Sequence, residues 1–109
     1  MTDRELLELA AKAAGFDVSH FDRDKRAMVV FAIDGDENPD QEYWNPLTDD
    51  GDALRLAVKF GLTLVVESDI VFCRNQRSDK AFREQSNDPY AATRRAIVRA
   101  AAEIGKAMK

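Results

Sequence analysis

An α+β sandwich is the fold class this chain predicts, on three grounds. Three segments repeat apolar residues at helical spacing behind a capping residue, four short apolar runs have the length of strands, and the opening helix has an echo later in the chain. The order reads α-β-β-α-β-β-α in a single domain spanning 1–109. Two hairpins can pair into one antiparallel sheet, which amphipathic helices must then cover. The runs "MVVFAI" and "LTLVV" are apolar at consecutive positions, which argues burial on both faces. The expectation is a four-stranded antiparallel sheet with helices on both faces, an α/β/α sandwich.

The first helix opens with Thr2-Asp3-Arg4-Glu5, a capping box in which Thr2 accepts the Glu5 amide. Leu6, Leu9, Ala10 and Ala13 form its stripe, and Gly15 supplies a left-handed stop. Candidate strands follow at 16–22 and 27–33, separated by the charged turn Arg23-Asp24-Lys25-Arg26. Residues 34–43, "DGDENPDQEY", have the composition of a surface loop. A second helix is expected over 49–60 with Ala53, Leu56, Ala57 and Phe60 inward, Leu54 flanking and Gly61 at its end. Strands at 62–67 and 70–74 join tightly through Ser68-Asp69, and 75–87 reads as a polar connection. Asp88-Pro89 gives a cap with proline at the first helical position, opening a helix to about residue 107. Its expected buried stripe is Tyr90, Ile97, Ala100, Ile104 and Met108.

Thr2-Asp3, Leu7-x-Leu9-Ala10-x-Lys12 and Gly15 are echoed by Thr48-Asp49, Leu54-x-Leu56-Ala57-x-Lys59 and Gly61, at offsets of 46 to 47 residues. The chain thus reads as two α-β-β units and an extra helix, through duplication or through the likeness of any two amphipathic helices.

The chain has no apolar run of membrane-spanning length, and its N-terminus reads as a helix rather than a secretory leader. The lone Cys73 cannot form an internal disulfide, and one cysteine with one histidine cannot build a zinc site. The cytosol is the natural expectation. Charge is unevenly laid out within the net −4. Eight acids (Asp34, Asp36, Glu37, Asp40, Glu42, Asp49, Asp50, Asp52) fall between 34 and 52 with no Lys or Arg among them. The last helix instead carries Arg94, Arg95, Arg99, Lys106 and Lys109 around that stretch's one acid, Glu103.

Two blocks, "WNPLTDDGDALRLAVKFG" (44–61) and "DPYAATRRAIVRAAAEIGKAM" (88–108), resemble a family of small phage and prophage proteins with an α/β/α sandwich domain. The opening "MTDRELLELAAKAAG" is similar to that family's usual start, and the blocks together cover about half of the chain. The resemblance implies a phage or prophage origin, the sandwich fold and residence in the bacterial cytoplasm. It brings no activity and no catalytic residues. The stretches 17–43 and 62–87 depart most from the family's pattern.

Each candidate site has a plain structural reading beside it. Asp34-x-Asp36-x-Asn38 imitates the start of an EF-hand loop, but Pro39 and Asn45 occupy the positions that require glycine and a bidentate glutamate. With Thr48 or Asp49 as cap, the acids Asp49, Asp50 and Asp52 fit the electropositive first turn of a helix, so capping accounts for them without a metal. His20 is the only histidine, with Ser19 expected to alternate to the other face of its strand, and there is no nucleophile elbow or phosphate loop. Cys73 reads as a small core residue. No enzyme and no cofactor are expected.

Three function classes remain. The first is an accessory protein that binds a host or phage protein, its acidic residues Asp34, Asp36, Glu37, Asp40 and Glu42 forming part of the contact. The second is an acidic mimic of nucleic acid that occupies a host DNA-binding protein, although −4 is modest for a mimic. The third is direct nucleic-acid binding through the basic face Arg94, Arg95 and Arg99, disfavoured by the negative net charge. Association with a membrane is not expected, and a homodimer is open.

Overall fold

The computed structural model describes residues 2–24, 27–31, 41–76 and 80–108. Three helices form where a capping side chain can take the first free amides. Helix α1 (Asp3–Ala14) is capped by Thr2, whose hydroxyl accepts from the Glu5 amide at 3.1 Å and also donates to the Glu5 carboxylate. Helix α2 (Asp50–Phe60) is capped by Asp49, which accepts from the Asp52 amide at 2.8 Å. Helix α3 (Pro89–Ala107) is capped by Asp88, which accepts from the amides of Tyr90 and Ala91. Gly15 and Gly61 end the first two helices in the left-handed conformation at φ 82° and 59°, where other residues are strained.

Between them lie six strands: β1 (Asp17–Asp22), β2 (Ala27–Phe31), β3 (Gln41–Trp44), β4 (Thr63–Glu67), β5 (Ile70–Asn75) and β6 (Lys80–Gln85). They make two three-stranded antiparallel sheets, in the orders β1-β2-β3 and β4-β5-β6. The fold is therefore α+β as expected, but the single four-stranded sheet is not what forms. The missing strands sat in polar stretches. Strand β3 overlaps the expected loop 34–43, and β6 lies in the expected connection 75–87. Each carries one substantial inward side chain, Trp44 and Phe82, among polar neighbours. The remainder of the expected loop, residues 32–40, lies outside the described residues.

The chain thus runs as two α-β-β-β units followed by α3, a fuller form of the repeat. Helix α3 is the hub, packing against α1, α2 and all three strands of the second sheet, while β1 packs against α1. Helices do not cover both faces of the second sheet. Val71, Cys73 and Asn75 are buried on one side of β5, while Phe72 and Arg74 are exposed on the other. Their cross-strand partners on that outer face, Thr63, Val65, Ala81 and Arg83, are exposed too. Consecutive apolar residues predict two-sided burial correctly for β2, where Ala27, Met28 and Val29 are all buried, and incorrectly for β4.

The core is rich in alanine because helices meet at short range. Ala92, Ala96, Ala100, Ala101, Ala102 and Gly105 are all buried on α3. A Cβ added at Gly105 would lie 2.0 Å from the backbone oxygen of Leu9 on α1. Gly105 is thus a packing residue within a helix, unlike the helix stops Gly15 and Gly61. Bulk comes from Leu7, Met28, Leu56, Val71 and Val98, all fully enclosed. Lys80 on β6 bonds Glu103 on α3, holding that carboxyl below its ordinary value. A depressed carboxylate pKa stabilises the folded chain above the ordinary carboxylate range, and the contribution is lost as pH falls through the folded value.

Leu56→Ala should destabilise the chain by about 2–5 kcal/mol, the usual range for truncating an enclosed leucine. Gly105→Ala should cost about 1–3 kcal/mol, because backbone rather than a flexible side chain stands where the methyl group must go. Denaturant melts monitored by circular dichroism measure both, and a neutral Gly105→Ala would show that α1 and α3 do not pack at this separation.

Candidate interaction surface

The segment that joins β3 to α2 is held by its own polar atoms. Asn45 accepts from the Leu47 amide through its side chain, and from the amides of Thr48 and Asp49 through its carbonyl. Its own amide donates to Asp52 at 3.0 Å. Trp44, Asn45 and Pro46 are buried, with Trp44 packed edge-on to Phe16 at 5.3 Å between ring centroids. Asp49 caps α2, Asp50 pairs with Arg94, and Asp52 pairs with Arg55. These three acids, the basis of the metal question in the sequence, have structural partners.

The arginines of α3 are similarly engaged. Arg94 donates to the Leu47 carbonyl at 2.9 Å and to Asp50 at 2.6 Å, so it fastens the start of α2 onto α3. Arg95 donates to Asp3 at 3.0 Å, and its guanidinium lies 3.8 Å from Glu84. Arg99 donates to Glu84 at 2.8 Å and to the Arg83 carbonyl, and stacks over the Phe82 ring at 5.1 Å. All three sit half-buried between elements instead of lining a solvated face. A phosphate would have to displace these partners.

Of the acidic candidates, Asp34, Asp36, Glu37 and Asp40 lie outside the described residues. Glu42 belongs to β3, opposite Val30 in the ladder, and its side chain is not described. Ser19 sits at an irregularity of the β1–β2 register, which turns its hydroxyl to 3.0 Å from His20 Nδ1. The expected alternation of the two side chains to opposite faces does not hold there, because the register shift breaks the period of two. Both residues are exposed. Cys73 is enclosed in β5, and burial pushes its thiol up to about 11.

The feature that the sequence did not disclose is apolar. A groove of about 470 Å³ lies between α2, β4 and α3, lined by Ala53, Leu54, Leu64, Val66, Tyr90 and Ile97 among others. Asp50 and Arg94, already paired, stand in its wall. Leu54 is 60% exposed, Val66 55% and Tyr90 70%, and Val58, one turn beyond Leu54 on α2, is 74% exposed. Tyr90 was expected in the buried stripe of α3. It lies in the helix's first turn, where helical spacing fixes its face but nothing packs over it. Met108, past the other end of α3, is likewise 43% exposed instead of buried.

Comparison with family models, with curated proteins and with solved structures gives no match for this chain.

Arg94→Ala should cost about 1–2 kcal/mol, since it leaves the Leu47 carbonyl without a charged donor. Arg95→Ala, at a more exposed pair, should stay within roughly 0.5 kcal/mol. Equal losses in thermal or denaturant melts would mean that Arg94 does not fasten α2. Cys73 should resist alkylation at neutral pH until the chain unfolds, because the thiolate is the reactive form. Rapid labelling of the native protein would contradict its enclosure.

Proposed function

We propose that this chain is a non-enzymatic phage or prophage accessory protein that acts by binding another protein in the bacterial host. The observation that carries the interaction reading is the groove between α2, β4 and α3, ringed by exposed Leu54, Val66 and Tyr90 with Val58 beside it. Exposed apolar side chains scattered singly are ordinary, but large ones gathered at a groove mark an interaction surface. The phage origin rests on the resemblance of residues 1–15, 44–61 and 88–108, and the cytoplasmic setting on that resemblance and on the lone Cys73.

The acidic segment is the second part of this reading. Capping and ion pairs account for Asp49, Asp50 and Asp52, and this reading assigns the contact charge to Asp34, Asp36, Glu37, Asp40 and Glu42. Complementary charge at such a loop would mainly speed encounter and set specificity. Direct nucleic-acid binding through Arg94, Arg95 and Arg99 is the weaker reading, because their guanidinium groups already hold the fold together.

Affinity capture from bacterial lysate, followed by binding measurements on the recovered partner, tests the proposal. Binding should weaken as salt rises. Changing Asp36, Glu37, Asp40 and Glu42 together to Asn or Gln should weaken it further and flatten that salt dependence, while leaving the α2 cap intact. Unchanged affinity and unchanged salt dependence would remove the acidic loop from the mechanism. Competition by added DNA for the same partner would favour the mimic form of the reading.

A further inference from the structure

Strand β4 is an edge without the usual protection. It pairs with β5 along one side, in an unbroken register from Thr63↔Arg74 to Glu67↔Ile70, and no strand pairs with its other side among the described residues. Natural edges are blunted by charge, proline, bulges or shortness. Strand β1 has its irregularity at Ser19, β3 is four residues long, and β6 carries Lys80, Arg83 and Glu84. The sequence of β4 is TLVVE, with no proline and a single charge at its end. Its inner face is apolar, and its outer face carries Val65 between Thr63 and Glu67. Leu64 and Val66 look into the groove, and Val65, 44% exposed, lies opposite Phe72 on the outer face. Its central Leu64, Val65 and Val66 have the composition of a covered strand, and no described residue pairs with its open edge.

We propose that a second copy of this chain covers this surface, its β4 pairing antiparallel with β4 of the first about a twofold axis through Val65, so that two sheets become one of six strands. The inference rests on the reading of the groove as a protein-docking surface but makes its occupant a second copy instead of a host protein, leaving the acidic segment for the host partner. The strand is self-complementary in this register. Val65 meets Val65, Leu64 meets Val66, and Thr63 meets Glu67, so the strand's only charge never faces itself. Arg74 lies beside Thr63 on the same outer face, which brings each Glu67 into a row with the other copy's Arg74. An axis at Leu64 or Val66 would leave part of the strand unpaired and break that row. Because the groove separates α2 from β4, a strand added at the open edge lies over α2. Its own Leu64 and Val66 then cover Leu54 and Val58, which accounts for two large apolar residues on the outside of a helix. A strand from an unrelated protein could make the same backbone bonds, but it would lack this matched set.

The test uses the purified chain, with no host component. Light scattering behind gel filtration should give twice the monomer mass of 12.2 kDa at high concentration, with dissociation on dilution. The dimer should persist as salt rises, since screening reduces the repulsion between two copies of net charge −4. Val65→Lys, a change at an exposed position, should shift the chain to monomer with its circular dichroism unchanged, because the two ammonium groups would meet at the axis. Val65→Cys should form an interchain disulfide on mild oxidation, because Cα atoms of directly opposed residues lie about 4.5–5.5 Å apart. Thr63→Cys should not, since the two copies of residue 63 would be about 13 Å apart, four residues along the strand. A wild type that is monomeric at every attainable concentration overturns the proposal. So does a dimer that survives Val65→Lys, or one that cross-links as readily at 63 as at 65. If a monomeric chain binds a host protein through Leu54 and Val66, the docking reading stands and only self-pairing falls; if it binds nothing there, both fall.

Discussion

The close approach of α1 to α3 is the constraint on which the rest of the structure depends. Small residues along one side of α3 bring the backbone of Leu9 so near Gly105 that no side chain fits between them. Helices packed this closely gain many dispersion contacts per residue but bury little side-chain volume. The large enclosed residues therefore matter more than in a leucine-rich core, and few of them stand between this chain and collapse of the interior. The same geometry orients α3. With α1 along its length, it still contacts α2 and the whole second sheet. The amine of Lys12 on α1 donates to the Met108 carbonyl past the end of α3, adding a favourable charge where the helix dipole is negative.

Around this apolar spine the arginines of α3 act as fasteners, each to a different element. Arg94 reaches the start of α2, Arg95 the start of α1, and Arg99 the strand β6. The acids Asp3 and Asp50, which Arg95 and Arg94 reach, lie in the first turns of their helices, where they also favour the helix dipole. An opposition of charge that looks in the sequence like a basic surface facing an acidic one is, for these residues, internal neutralisation. Exposed ion pairs are weak individually. Arg94 is the exception by geometry, because it is only 17% exposed and takes a backbone carbonyl as well as a carboxylate.

How much of this could be read from the chain depends on the range of the determining interaction. The caps Thr2 and Asp88 and the stops Gly15 and Gly61 act within one helical turn and stand where the sequence places them; for α2 the sequence left Thr48 or Asp49 as cap, and Asp49 takes the role. The strands β3 and β6 escaped that reading because "QEYW" and "KAFREQ" hold one substantial inward residue each, too few to establish a period of two. Their status is decided by the neighbour they pair with, which is non-local information. The acidic segment was legible as charge, yet only the pairings of Asp49, Asp50 and Asp52 separate the acids that build the fold from the others. Tyr90 was misplaced for a related reason: periodicity gives a helix its inner side, while the length of the covering elements decides which turns of that side are covered.

The two halves of the chain provide their own control for the remaining misfit. Each runs helix, then three antiparallel strands, and each contains an apolar run of consecutive residues that reads as a strand buried on both faces. In the first half that run is β2, central in its sheet, with Ala27, Met28 and Val29 buried. In the second half it is β4, displaced to an edge, while the central place goes to β5, whose burial alternates. Local pattern and final position agree nearly everywhere else in this fold, and sequences that specify one structure generally keep them in agreement. For β4 they part: its sequence is that of a covered strand, and among the described residues no strand pairs with its outer side. Leu54 and Tyr90 stand exposed at the same groove, with Val58 one turn beyond Leu54 on α2. Among the described residues, the second half of the chain thus leaves more of its apolar side chains exposed than its composition leads one to expect.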